Sequence, residues 1–505
     1  LSVLQIAHNA IHAKLLNADR DTKLKVSQLL SYKVEGAEYS DAYKSHSWDG
    51  RSSFFDYRSG SFPMGFVHLV YSDLKRRGYN VQLVRPKAPE ALGPENPIVD
   101  PFEEDPRYDY QPETVRKLLK HRSMIARIAT GGGKSRIAKL AYARIKRPTL
   151  FLTTRSVLMY QMKEAFEGMG LNVGVLGDSV WEPRRGINVG MVQTLVARQA
   201  EPTDDMNAEQ AERQRIVRAK TIKLLEYMEF LIGEEAHEAG GSSYYEIARH
   251  CRNAHYRLAL TATPFMSADE ERNMRLMAAF GPVGIEISEE MLIGRGILAT
   301  PYFKRIKQPE APTGVRRTSS YQRAYDLGIV KNTWRNQQIA IEAVRATKYG
   351  LPVMILVSRK EHGAILKQMI ASAGVRVEYI FGESSQDKRA ATLAKLKRGD
   401  IQVLIGSTIL DVGVDVPAVG MVILAGGGKA EIQLRQRVGR GLRAKVIPPN
   451  VCLVIDFTDP FNNHLRDHAL TRFAIIDGTP GFAENVLPIG SDFNFDALGL
   501  KKIAH

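Results

Sequence analysis

The chain is poor in cysteine and has no long apolar run. Two cysteines among 505 residues, Cys251 and Cys452, exclude a disulfide framework and are too few for a cysteine-built zinc cluster. A reducing compartment, the cytoplasm, is expected. No stretch reaches the roughly 18 consecutive apolar residues of a spanning helix, so no membrane partner is expected. The opening LSVLQIAHNAIHAK lacks a basic flank ahead of a long apolar core and does not read as a secretory signal. It starts at Leu1 rather than Met, so preceding residues are expected in the natural protein. No paired-carboxylate nuclease motif is present, and no aromatic RNA-recognition motif, which disfavours a nuclease and, more weakly, an RNA-directed protein.

Acidic residues are also in deficit: 55 against 70 Lys and Arg, a net charge of +15. Such an excess favours a polyanionic partner, with a merely solubilising surface as the alternative. Its distribution favours the partner. Residues 301–450 carry 25 basic and 11 acidic residues, while 451–505 carry 4 and 7. Residues 86–106 carry 1 and 6, with prolines at 86, 89, 94, 97, 101 and 106; proline fixes φ and removes a donor, so this stretch reads as an extended linker.

The length fits about three domains. Apolar runs such as PTLFLTT, INVGMVQ, MEFLIGEE, YRLALTAT, PVMILVS, VEYIFGE, IQVLIGS, GMVILAG and VCLVIDF alternate with helical patterns such as SRIAKLAYARIK. Buried strands alternating with helices predict parallel sheets of the α/β class, too many strands for one small sheet. The expected order is a small α+β domain at 1–85, the acidic linker at 86–106, one α/β lobe at 107–299, a second at 300–480 and a tail at 481–505. Residues 199–229 read as a polar surface insertion followed by a helix.

Ala129-Thr130-Gly131-Gly132-Gly133-Lys134-Ser135 follows a strand candidate and opens a helical pattern. In such a loop glycines let backbone N–H groups wrap phosphate oxygens. Lys134 would neutralise the β- and γ-phosphates and Ser135 would bind Mg²⁺. Glu234 and Glu235 end another apolar run, where one acid can hold the metal and the next polarise the attacking water. ATP and Mg²⁺ are therefore the expected cofactors. Either motif alone could be a glycine turn or a charged turn.

In order and spacing these motifs resemble those of superfamily 2 helicases and translocases, whose core is two tandem RecA-like lobes. Glu234-Glu235-Ala236-His237 stands where that family has Asp-Glu-Ala-His, so Glu234 replaces the usual metal-binding Asp and displaces its carboxylate by about one bond length. By the same resemblance Tyr110-Gln111 is the adenine-reading motif. Thr261 and Thr263, with His237, couple hydrolysis to movement. Asp415 in the Asp411–Pro417 run touches ATP. Gln436, Arg440 and Arg443 in QRVGRGLR are catalytic, the arginines acting as fingers on phosphoryl charge, for which planar guanidinium groups are suited. The resemblance also implies a DNA track of Thr154, Arg155, Gln193 and Thr194 in the first lobe, continued by Ser358, Arg359, Gly382, Arg389 and Thr408 in the second. Contacts of this kind go to phosphates and carry no base identity.

Trp48-Asp49-Gly50-Arg51, followed by Phe55-Asp56-Tyr57 and Phe62-Pro63, and the later Trp334-Arg335-Asn336, resemble phage recombination helicases of the UvsW type. That resemblance implies a 3′-to-5′ motor for forked or branched DNA, in which Trp48 and Arg51 of the N-terminal module help to select the substrate; a monomer is expected because two lobes complete the ATP site within one chain. For Trp48 a core position is the competing reading, and Lys75, Arg76 and Arg77 are further basic candidates. Alternatives to the motor are an ATP-gated clamp or annealing factor with weak hydrolysis, a translocase subunit of a nuclease complex, and an RNA helicase.

Overall fold

The computed structural model describes residues 3–100, 105–235, 240–265, 269–381, 384–406, 418–428, 445 and 448–503. The chain divides into two compact units, Leu1–Ile128 with Gly133–Glu286, and Ala129–Gly132 with Ile287–His505.

The first unit starts with six short strands: β1 (Leu4–His8), β2 (His12–Leu16), β3 (Ser31–Lys33), β4 (Arg51–Ser53), β5 (Ser61–Pro63) and β6 (Val81–Val84). A mixed sheet runs β5-β2-β1-β6, and β3 pairs with β4 in a separate ribbon. The helices Arg20–Leu29, Asp41–Lys44 and Val67–Arg76 belong to this small α+β layer. Its core of Leu4, Ile6, Val26, Phe62, Phe66, Val70 and Leu74 continues onto Met274, Met277 and Ala278, all from the helix Glu270–Phe280. Gly65 marks how close the approach is: a Cβ there would lie 2.1 Å from the Met277 carbonyl oxygen. The N-terminal layer is thus not an independent globule.

Residues 86–100 of the proline-rich stretch run without helix or strand, and they are strapped to their neighbours. Leu92 and Gly93 donate backbone hydrogen bonds to Ile145 and Arg144 carbonyls. Tyr256 donates to the Pro89 carbonyl at 2.8 Å, and Asp100 pairs with Arg136 and Lys139. Part of its acidity therefore serves an internal contact.

Next comes an eight-stranded sheet, order β10-β9-β11-β8-β12-β13-β7-β14. Its strands are β7 (Ser123–Ile128), β8 (Thr149–Thr153), β9 (Val173–Gly177), β10 (Val180–Glu182), β11 (Ile187–Met191), β12 (Phe230–Glu234), β13 (Tyr256–Thr261) and β14 (Val283–Ile287). From β9 across to β7 every pairing is parallel. The residues of β8 and β12 are buried throughout, as expected for strands covered on both faces. The polar insertion ends in a helix, Ala208–Tyr227, opened by a reciprocal Asn207/Gln210 capping box.

The second unit carries a six-stranded sheet, order β15-β20-β19-β16-β18-β17, of β15 (Thr300–Ile306), β16 (Val353–Leu356), β17 (Val377–Ile380), β18 (Val403–Gly406), β19 (Met421–Ile423) and β20 (Val451–Phe457). All its pairings are parallel. The tail belongs to this core: Phe493, Phe495 and Leu500 are buried in it, and the Phe495 ring stacks on Tyr349 at 4.1 Å. The fold class is α/β, two RecA-like parallel-sheet lobes with a small α+β N-terminal layer.

Candidate nucleotide site and nucleic-acid face

In a parallel sheet every strand delivers its following loop to the same edge, where ligands of open α/β sheets bind. In the first lobe the order β11-β8-β12-β13-β7 sorts those loops. Gln193 and Thr194 follow β11, and Thr154 and Arg155 follow β8. Glu235 follows β12, Thr263 follows β13, and the glycine loop follows β7. Candidate nucleic-acid groups take one half of the edge and candidate nucleotide groups the other.

The glycine loop is shaped by its sequence. Gly131 and Gly133 have φ of 88° and 81°, a left-handed conformation that costs a side-chain-bearing residue roughly 1–2 kcal/mol. A Cβ on Gly133 would also lie 2.4 Å from Nε2 of Gln111. Gly133 caps the helix Lys134–Ile145 without any side-chain hydrogen bond, which leaves the first-turn amides directed at an incoming anion. Gln111 is buried in the first turn of Tyr110–His121, and its Oε1 accepts from Arg136 Nη1 at 2.5 Å. Arg136 in turn holds Asp100. Sequence reasoning missed Arg136 and Asp100, which orient the glutamine.

Lys134 Nζ forms an ion pair with Glu235, both side chains being 12% exposed. Glu235 has φ of 46°, uncommon for a residue bearing a side chain and a form of strain found at functional sites. Its N–H donates to the Leu260 carbonyl at 3.0 Å. Glu234, one residue back, is 5% exposed, and Tyr244 Oη donates to its carbonyl at 2.7 Å. Thr261 and Thr263 are buried, and Thr263 N–H donates to Thr261 Oγ1 at 3.2 Å. Thr130 is half-buried and Ser135 exposed.

On the other half, Gln193 Nε2 donates to the Thr154 carbonyl at 3.0 Å, joining the two first-lobe segments expected to track a strand. Arg155 is exposed and precedes the helix Ser156–Glu167.

Two family models match the chain. "Type III restriction enzyme, res subunit" covers residues 105–266, and "Helicase conserved C-terminal domain" covers 336–445. The chain belongs to the superfamily 2 helicases. Among relatives, the DNA 3′-5′ translocase XPB2 of Sulfurisphaera tokodaii is 25% identical over 371 residues, 67% of this chain and 78% of that one. The crystal structure of the DUF1998 helicase MrfA bound to DNA aligns over 74% of this chain and 53% of that one, at 14% identity and a TM-score of 0.51. T4 UvsW aligns over 96% and 98%, at 17% identity and a TM-score of 0.44.

In the second lobe of this helicase, Ser358 and Arg359 are exposed after β16, and Arg359 begins the helix Lys360–Ser372 as its cap. Arg389 lies in the helix Gln386–Arg398. His237, Gly382, Thr408, Asp415, Gln436, Arg440 and Arg443 lie outside the described residues.

A set of residues that sequence reasoning did not assign holds the chain just before the arginine motif. Tyr325 Oη donates to the Gly426 carbonyl at 2.6 Å. Arg335 Nη2 donates to that of Ala425 at 3.1 Å, and Arg472 Nη1 to that of Gly428 at 2.8 Å. Both arginines are buried ion-pair partners, Arg335 with Asp459 and Arg472 with Asp456 through two 2.8 Å bonds. Gly426 must be glycine, since a Cβ would lie 2.7 Å from the Ser358 backbone nitrogen.

In the N-terminal layer, Phe55 is core at 4% exposure, whereas Trp48 is half-buried and donates its indole N–H to the Arg51 carbonyl at 2.6 Å. Arg51 reaches Ser31 and Glu270. Arg76 and Arg77 both pair with the buried Asp73. Among the described residues no helix is long and apolar enough to cross a membrane.

Proposed function

We propose that this ATP-hydrolysing helicase is a monomeric DNA motor that moves 3′ to 5′ and remodels forked or branched DNA. The observation that carries the reading is the shared core between the N-terminal layer and the helix Glu270–Phe280, which follows the Thr261–Thr263 segment closely in the chain. Movement generated beside the nucleotide site thereby reaches a module that meets the substrate. The polarity is taken from the 3′-5′ translocase relative of Sulfurisphaera tokodaii.

The residues fit an Mg²⁺-nucleotide: left-handed glycines, an uncapped helix start, a lysine and two carboxylates are a phosphate-and-metal donor set. Gln111 would read the base, and Thr130–Ser135, with Asp415, would hold ATP. Ser135 and Glu234 would hold Mg²⁺. The bound nucleotide supplies a phosphoanhydride whose hydrolysis is the energy source. Glu235 takes the proton of the attacking water, released from Lys134 as that lysine turns to phosphate. Lys134, Arg440 and Arg443 stabilise negative charge, Gln436 assists, and Thr261, Thr263 and His237 pass the change to the DNA grip. Thr154, Arg155, Gln193, Thr194, Ser358, Arg359, Gly382, Arg389 and Thr408 grip phosphates, while residues 1–85, through Trp48 and Arg51, select the branch.

The test is ATPase activity with single strand, duplex, fork and four-way junction, beside Lys134→Ala and Glu234→Asp. Stimulation greatest with fork or junction and lost in Lys134→Ala supports the motor. Stimulation by plain duplex or RNA alone refutes the branched substrate. A second reading, an ATP-gated clamp with weak hydrolysis, is favoured by Glu234: it is buried, so its longer side chain has little freedom to restore the geometry Mg²⁺ demands. Turnover that is absent until Glu234→Asp restores it would select the clamp.

A further inference from the structure

The second lobe carries a built cationic and aromatic surface that none of the helicase motifs includes. Residues 314–320 form a loop without regular structure, yet it is rigidly held. Asn462 is fully buried, and its Nδ2 donates to the carbonyls of Arg316, Arg317 and Ser319 at 3.0, 3.3 and 3.0 Å. Its Oδ1 accepts from the N–H groups of His464 and Leu465, capping the helix Asn463–Asp477. Val315 anchors the loop in a small core with Tyr325, Ile329 and Leu465. The outcome of this fixation is that Arg316 and Arg317 point from a preorganised frame and are exposed.

Beside them Tyr321 is 39% exposed, with ring centroids of His468 and His464 at 5.2 and 6.2 Å. Its other neighbour, Tyr325, lies at 5.7 Å and carries the Arg359 guanidinium over its ring at 5.8 Å. The surface is therefore continuous with Arg359, a residue of the proposed DNA track. Carboxylates at its margin are already engaged: Asp326 by Lys331 and Asp467 by Arg466.

We propose that this surface is an additional single-strand DNA site, in which Arg316 and Arg317 hold phosphates and a base stacks on Tyr321. Fixed cations beside an exposed aromatic are what sequence-tolerant strand binding requires. The inference rests on the DNA-motor reading and extends its track along the second lobe.

The experiment is fluorescence anisotropy with a labelled oligothymidylate across a salt series, using the full chain. Tyr321→Ala should weaken binding by about 5- to 150-fold, with Tyr321→Phe near wild type. Arg316→Ala with Arg317→Ala should lower the slope of log affinity against log salt by about 1.4. Basal ATPase without DNA should stay unchanged in all three. Unchanged affinity and slope in both the tyrosine and the arginine variants, with the wild type binding DNA, would overturn the site and leave the motor standing. Loss of affinity only for an acidic polypeptide would also overturn it, making the surface a protein dock. A wild-type chain that binds no single strand would sink the site together with the motor reading.

Discussion

Acid should weaken the second lobe through one histidine, by a calculable amount. His362 is fully buried in the helix Lys360–Ser372, with Nε2 at 2.8 Å from Asn336 Oδ1. Burial, reinforced by the nearby Arg335 charge, pushes its pKa down from 6.5 to about 3. Between those values the unfolded chain binds the proton and the folded chain does not, so stability rises with pH over that window and is fully present only above 6.5. At one pKa unit per 1.36 kcal/mol, lowering the pH from 7 to 5 should cost about 2 kcal/mol. The assay is urea unfolding followed by Trp334 fluorescence with Trp48 and Trp181 replaced by Phe, at both pH values, for His362 and for His362→Gln. The glutamine keeps an amide donor and cannot charge. The reasoning fails if the two chains lose the same stability on acidification, within about 0.5 kcal/mol.

Three further outcomes are expected. Glu235→Gln should lower kcat by about 10²- to 10⁴-fold while retaining nucleotide affinity, measured by turnover beside equilibrium nucleotide binding. Arg472→Ala leaves the buried Asp456 carboxylate unpaired and should cost about 3–5 kcal/mol in denaturant unfolding. Replacing both partners by apolar residues should cost less, and an equal cost would contradict the ion-pair account. Gly65→Ala should separate the N-terminal layer from the helix Glu270–Phe280, because its Cβ meets backbone atoms of Met277 and Ala278 rather than a flexible side chain. A thermal transition of that layer about 1–3 kcal/mol weaker checks it, and wild-type behaviour would show the contact to be dispensable.

Much of the fold was legible in the sequence, for a physical reason. Parallel strands buried on both faces need uninterrupted apolar runs, and PTLFLTT, MEFLIGEE, PVMILVS and VCLVIDF became β8, β12, β16 and β20. Strands that escaped notice break this pattern. In β9, Gly174 and Gly177 interrupt the run where side chains of Asn188 and Met191 approach closely. In β15, Lys304 and Arg305 sit inside an edge strand because Glu342 and Asp477 neutralise them. The glycine loop and the paired glutamates were equally legible, since left-handed backbone and phosphate chemistry admit few residue types. The supports of that site were not. Arg136 reaches Gln111 from a helix that reads as generic, and Tyr244 reaches the Glu234 carbonyl from the following helix.

Charge misleads the sequence reader in a related way. Counting basic residues treats each as surface, yet Arg335 is 1% exposed and Arg472 3%. Neither belongs to the field that attracts a polyanion. Their charges are cancelled by Asp459 and Asp456, and the N–H groups left over fix the carbonyls of Ala425 and Gly428. Burying two arginines costs several kcal/mol in desolvation, and apolar residues would fill the space at lower cost. What apolar residues cannot do is aim hydrogen-bond donors at two carbonyls of a glycine-rich backbone. Arg316, Arg317, Arg323 and Arg359 are among the cations that do face solvent, whereas a sequence count adds the two buried arginines to them.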